Sequence, residues 1–129
     1  MVKILYKELS YKIVGLSYEM YNKVGFGYRE KHYQRILAEI FKINNIQFKK
    51  ELYGKLIFNN KIIARYYLDF LVEDKIVVEL KIANDFYIQH VNQVISYLKA
   101  NNIKLGIIIL ITRNGIRIKR LANSRNMRK

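Results

Sequence analysis

Three ionisable side chains, besides those of its central turn, stand in the most strand-like stretch of the chain, DFLVEDKIVVELK, which runs from Asp69 to Lys81. Asp69 follows an apolar run, and Glu79 and Lys81 lie inside VVELK. An unpaired carboxylate in a buried strand costs several kcal/mol, so each must be ion-paired, hydrogen-bonded or bound to a metal. Glu79 and Lys81 are two residues apart and share one face of their strand. Asp69 belongs to the preceding strand. A three-residue loop, Glu73 to Lys75, pairs Val72 with Ile76 and sets Asp69 across from Glu79 on that same face. A two-residue loop would put them on opposite faces unless a bulge intervened. The odd loop is the expectation. Two carboxylates about 5 Å apart repel unless a cation lies between them, and oxygen ligands favour Mg²⁺ or Mn²⁺. Lys81 beside such an ion can position or help deprotonate a water, while the ion offsets charge on a scissile phosphate. The competing reading of the same residues is a structural ion pair, with Lys81 bridging Asp69 and Glu79.

The elements that would carry these residues follow from periodicity. Leu5, Leu9, Ile13, Leu16 and Met20 mark a helix over about Ile4 to Lys23, broken by Gly25 and Gly27. A second helix spans about Tyr28 to Asn44, with Tyr33, Ile36, Leu37, Ile40 and Phe41 as its apolar stripe. A strand ends near Phe58, before the turn pair Asn59-Asn60. Further strands span about Ile62 to Val72 and Ile76 to Ile82. A third helix covers Asp85 to Asn101, and Leu105 to Thr112 is a buried strand. Asn114-Gly115 is a turn before a last strand to Leu121, and residues 121–129 read as a frayed basic tail. The order α-α-β-β-β-α-β-β is that of one α/β or α+β domain over residues 1–129.

Composition narrows the chemistry. Without cysteine there is neither a disulfide nor a thiolate metal site. Two histidines, His32 and His90, argue against a histidine zinc site, and a lone His90 reads as structural or surface. There is no secretory leader pattern and no apolar run near membrane-spanning length, so a soluble, cytoplasmic protein without a membrane partner is expected. Lys plus Arg number 24 against 10 Asp plus Glu, a net charge of +14. No acidic residue follows Asp85, whereas Lys99, Lys104, Arg113, Arg117, Lys119, Arg120, Arg125, Arg128 and Lys129 do. A field of that sign attracts polyanions, nucleic acid first among them.

Asp69 with Glu79-Leu80-Lys81 resembles the signature of the PD-(D/E)XK nuclease superfamily, ELK standing for its (D/E)-x-K element. GYREKHY, from Gly27 to Tyr33, is similar to the G-x-x-E-x-x-Y that names the GxxExxY proteins of that superfamily. QVISY, from Gln93 to Tyr97, resembles the Q-x-x-x-Y of RecB-like and Cas4-like nucleases. The four motifs occur in the family's order across nearly the whole chain. Two features depart from it. Leu68 stands where the superfamily's proline would precede Asp69, and Ile111-Thr112-Arg113 replaces an Asn-Phe-Gly.

The resemblance implies an α/β fold with a restriction-endonuclease-like core (α-β-β-β-α-β). Its central mixed sheet would be flanked by helices, with an extra helix at the N-terminus. It implies a hydrolase that cuts phosphodiester bonds of nucleic acid, DNA before RNA. Asp69, Glu79 and the carbonyl of Leu80 would hold Mg²⁺ or Mn²⁺ with help from Glu30, and Lys81 would orient the attacking water. Gln93 would orient a water or carboxylate, and Tyr97 would contact substrate phosphate. Arg113, Arg117, Lys119 and Arg120 would grip the backbone, and a homodimer would let two sites meet two strands. On the residues alone, Glu30 is a charge that stabilises a helix N-terminus, and Tyr97 is a half-buried core aromatic. The alternative function is a catalytically silent nucleic-acid-binding or partner-regulating module on the same scaffold.

Overall fold

The computed structural model describes residues 6–123. Helix α1 covers Lys7–Val24 and α2 covers Glu30–Ile43. Strands β1 (Phe48–Phe58), β2 (Lys61–Val72) and β3 (Ile76–Ile82) follow. Then come α3 (Ile88–Asn101), β4 (Leu105–Thr112) and β5 (Gly115–Ala122). The predicted order of elements is the observed one. The predicted start of the first helix at Ile4 lies outside the described residues.

The five strands form one sheet in the order β1-β2-β3-β4-β5. Neighbours are antiparallel except β3 and β4, which run parallel. A parallel pair needs a long crossover, and α3 supplies it. Strand alternation then sorts side chains to two faces. On one face Phe70, Val72, Ile76, Val78, Leu80, Ile107 and Ile109 pack with Ile13, Met20, Tyr33, Leu37 and Phe41 of α1 and α2. On the other, Val77, Ile108 and Leu110 pack with Val91, Val94 and Leu98 of α3. This mixed sheet between helical layers is the α/β, restriction-endonuclease-like arrangement expected from the sequence.

Local chemistry sets the element ends. Gly25 closes α1 at φ 71°, with its N–H donating to Tyr21 O at 2.7 Å; a left-handed residue there favours glycine. Asn59 and Asn60 turn β1 into β2 with φ of 53° and 60°, the paired positive φ of a tight hairpin. Glu73 and Asp74 do the same before β3, and Lys75 N–H closes onto Val72 O at 2.9 Å. Val72 pairs with Ile76, so the three-residue loop is borne out. The tail, in contrast, does not begin at residue 121. β5 runs through Ala122, because Leu121 is buried in the α3-side core and pairs with Gly106. Residues 124–129 lie outside the described residues.

β2 is longer than its partner β3. Their ladder covers only Phe70, Leu71 and Val72 opposite Val78, Val77 and Ile76. Beyond Phe70 the β1–β2 hairpin leaves the sheet as a two-stranded arm.

Candidate active site

The site begins where that ladder stops. After Phe70 and Val78, the next pair in register is Asp69 and Glu79. Here side chains replace the backbone ladder. Asp69 N–H donates to Glu79 Oε1 at 2.9 Å, and Leu80 N–H donates to Asp69 Oδ2 at 2.7 Å. β1 is irregular opposite the same point. Lys50 pairs with Phe70 and Leu52 with Leu68, while Glu51 between them takes φ 57°. Leu68 and Leu71, three apart, both pack toward α3. That breaks the two-residue alternation at Asp69, a bulge-like device that re-aims a strand side chain.

Glu79 is only 3% exposed. Burial, then the charge of Asp69, pushes its carboxyl up to about 9. Asp69 is also raised, chiefly by burial. Burial and the repulsion between them both disfavour charging the two carboxyls together. Lys81 Nζ lies 3.6 Å from Glu79 Oε2, too long for a hydrogen bond and near enough for an ion pair.

Two residues of α2 complete the cluster. Glu30 is its first residue, and its Oε2 accepts the Ile82 N–H at 2.9 Å. Gln34, one turn on, donates from Nε2 to Asp69 Oδ1 at 2.9 Å. The α2 N-terminus, Glu51, Tyr67 and Asp69 line an open cleft beside the carboxylate pair. Gln34 and Glu51 escaped the sequence reading. Gln34 carried a signal, since it shares a helix face with Glu30 four residues before it.

Other predicted residues are placed apart. Gln93 lies in a groove between α3 and the arm, with Leu56, Arg65 and Tyr66. Tyr97 is buried in the α3-side core. Among the described residues neither hydrogen-bonds to Asp69, Glu79 or Lys81. The basic residues divide between faces. Lys81, Leu110 and Arg117 form one row across the sheet, and Glu79, Ile108 and Lys119 form the next. Arg117 and Lys119 therefore share the face of Glu79 and Lys81, two strands or roughly 10 Å away. Both lie over the Phe86 ring. Arg120 turns to the other face, where Nε donates to Ser10 Oγ at 2.9 Å and the guanidinium lies over Tyr11. Arg113 sits in the β4–β5 turn over Phe26.

A buried carboxyl, a half-buried one bonded to it through its backbone N–H, a lysine beside them and an acidic helix start thus converge where the β2–β3 ladder ends. A family profile for the PD-(D/E)XK nuclease superfamily matches residues 7–121. The chain belongs to this superfamily. The crystal structure of SSO0001 is similar in fold, with a TM-score of 0.56 at 22% identity over 72% of this chain. The match covers 50% of the SSO0001 chain, so this chain spans about half of that protein's length. No curated protein matches.

PD-(D/E)XK nucleases generally use divalent metals, so the donor set must be weighed against such an ion. Asp69 and Glu79 offer hard oxygen donors, and a divalent cation would offset the charge that burial and mutual repulsion oppose there. Among the described residues, no three Asp, Glu, His or Cys side chains stand grouped as a complete metal cage. A magnesium site needs no such cage, since the ion takes one or two carboxylates and keeps waters or substrate phosphates. The pair fits an ion of this kind. No helix among the described residues is long and apolar enough to cross a membrane.

Proposed function

We propose that this protein is a metal-dependent nuclease hydrolysing phosphodiester bonds of nucleic acid, with DNA as the preferred substrate. The observation that carries the reading is the Asp69–Glu79 pair, with Glu79 buried and Asp69 half-buried, joined by the Asp69 N–H on Glu79 Oε1 at 2.9 Å, with Lys81 Nζ 3.6 Å from Glu79 Oε2. Such a pair is costly unless a cation or a proton resolves its repulsion.

Asp69 and Glu79 would hold Mg²⁺ or Mn²⁺, with the Leu80 carbonyl and Glu30 as further oxygen donors. The ion, when bound, lowers the pKa of a bound water and offsets charge on the phosphate. Gln34 fixes one oxygen of Asp69 and Leu80 N–H fixes the other, so the carboxylate is oriented before any ion arrives. Lys81 orients the attacking water and adds positive charge near the scissile phosphate. Arg117 and Lys119, on the same sheet face, take backbone phosphates without reading sequence. Gln93 acts on the substrate strand from its groove on α3 rather than on the carboxylates, and Tyr97, buried beneath, supports that helix. Arg113 and Arg120 add to the field at longer range. The G-x-x-E-x-x-Y around Glu30 and the Q-x-x-x-Y of α3 support a place among GxxExxY and RecB-like or Cas4-like nucleases. Two copies would supply one site per strand of a duplex.

The test is cleavage of single- and double-stranded DNA and RNA with Mg²⁺ or Mn²⁺, by the natural protein and by Asp69→Ala and Lys81→Ala. Divalent-dependent cleavage of DNA, lost in both folded variants, is expected. EDTA-insensitive binding of nucleic acid with no cleavage would replace this reading with that of a silent binding module.

A further inference from the structure

His90 lies in the first turn of α3, and its Nδ1 is buried with no hydrogen-bond partner among the described residues. A buried polar atom without a partner costs about 1–3 kcal/mol. The nitrogen is covered although the residue as a whole is half-buried, so a donor beside the ring is the partner it lacks. The charged groups that bear on the ring are Lys81 of β3 and Glu30 of α2. Burial and the Lys81 charge hold the imidazole below its ordinary pKa, which leaves it neutral with one nitrogen able to accept.

Lys81 is the complementary half. Its ammonium has three donors, yet its contact with Glu79 Oε2, at 3.6 Å, is not a hydrogen bond. A divalent cation on Glu79 would repel that ammonium and remove its present partner. A neutral acceptor suits the displaced ammonium, because it neither competes for the cation nor takes the lysine's proton outright.

We propose that His90 Nδ1 is the acceptor to which Lys81 shifts when Glu79 takes a divalent cation. His90 is then a positioning residue that fixes where Lys81 points during hydrolysis. The inference rests on the proposed nuclease reading.

The experiment uses the His32→Asn protein, in which His90 is the single histidine, labelled with ¹⁵N and titrated with Mg²⁺. The His90 Nδ1 resonance should move upfield as a hydrogen bond to its lone pair forms, and should not move in Lys81→Met. Calorimetry with Mn²⁺ runs beside it. In turnover, His90→Phe should lower kcat about 10–100-fold with KM unchanged. His90→Asn, whose amide oxygen can stand near the Nδ1 position, should recover most of that loss. Metal binding with no shift, or an equal shift in Lys81→Met, would overturn this role for His90 and leave the nuclease reading intact. Absence of metal binding to the natural protein would overturn both.

Discussion

Asp69 and Glu79 hold one another across the parting of β2 and β3, the Asp69 N–H on Glu79 Oε1 at 2.9 Å. The relationship joins the fold and the chemistry. The bonds that end the ladder are made by the carboxylates proposed to bind metal, so β2 and β3 are fastened to each other through the site itself. Removing either carboxylate therefore affects strand pairing as well as activity, and isosteric amides are the variants to compare first.

The buried pair makes the metal-free protein sensitive to base. Glu79 sits near 9 in the folded chain against an ordinary 4.5, so its raised pKa favours folding only while it is protonated. That contribution is complete below about 4.5, declines above it, and is lost as pH rises through about 9. Asp69 is raised too and acts in the same direction. Thermal unfolding in EDTA should show Tm falling from pH 7 to 9, above the range where histidines titrate. Glu79→Gln should flatten that fall. Equal slopes in the two proteins would mean that Glu79 is already ionised at neutral pH.

Gln34 tests whether orientation of Asp69 matters. Gln34→Ala removes the donor at 2.9 Å from Oδ1 while leaving both carboxylates in place. Loss of an orienting partner of this kind costs about 10–100-fold in metal affinity or activity. Mn²⁺ calorimetry should show weaker binding with the number of sites unchanged. Gln34→Glu should be worse, since it sets another carboxylate against Asp69.

Most of this architecture was legible because each signal was local. The Glu73–Lys75 loop fixed the register of Asp69 against Glu79, and the apolar run at Leu105–Thr112 reads directly as a buried strand. What escaped depends on residues distant in the chain. Gln34 meets Asp69 from 35 residues away, and no pattern within α2 shows which residue its polar face will meet. The break in β1 at Glu51 has no sequence marker, since a left-handed glutamate leaves neither a Gly nor an Asn behind. The basic residues of β5 look alike in sequence. Alternation alone sends Arg117 and Lys119 to the Lys81 side and Arg120 to α1, so one expected patch becomes two. Tyr97 fits the Q-x-x-x-Y pattern, yet it is buried in the core under α3.

Gly106 sets how closely α3 lies on the sheet. A Cβ there would stand 2.7 Å from Val94 Cγ1, so Gly106→Ala must push α3 outward or force Val94 off its rotamer. Overpacking of this kind costs about 1–3 kcal/mol. Chemical denaturation should show that loss, and Val94→Ala in the same chain should recover part of it. Because α3 also carries His90 and Gln93, cleavage by the folded Gly106→Ala protein should fall further than its stability accounts for.

Arg117 and Lys119 separate binding from chemistry. Each is exposed, lies over Phe86, and stands on the sheet face of Glu79 and Lys81. Removing one phosphate-bound cation should reduce the slope of log K against log salt by about 0.9 on duplex DNA. Arg117→Ala with Lys119→Ala should therefore weaken binding, flatten that slope by nearly two, and raise KM more than it lowers kcat. Arg120→Ala is the control. Its side chain is held on Ser10 and Tyr11 on the opposite face, so the slope should not change. Fluorescence anisotropy across a salt series, on an uncleavable duplex or without divalent metal, reads both quantities. If Arg120→Ala flattens the slope as much as the double variant, the nucleic acid lies on the α1 side and the proposed track beside Lys81 is wrong.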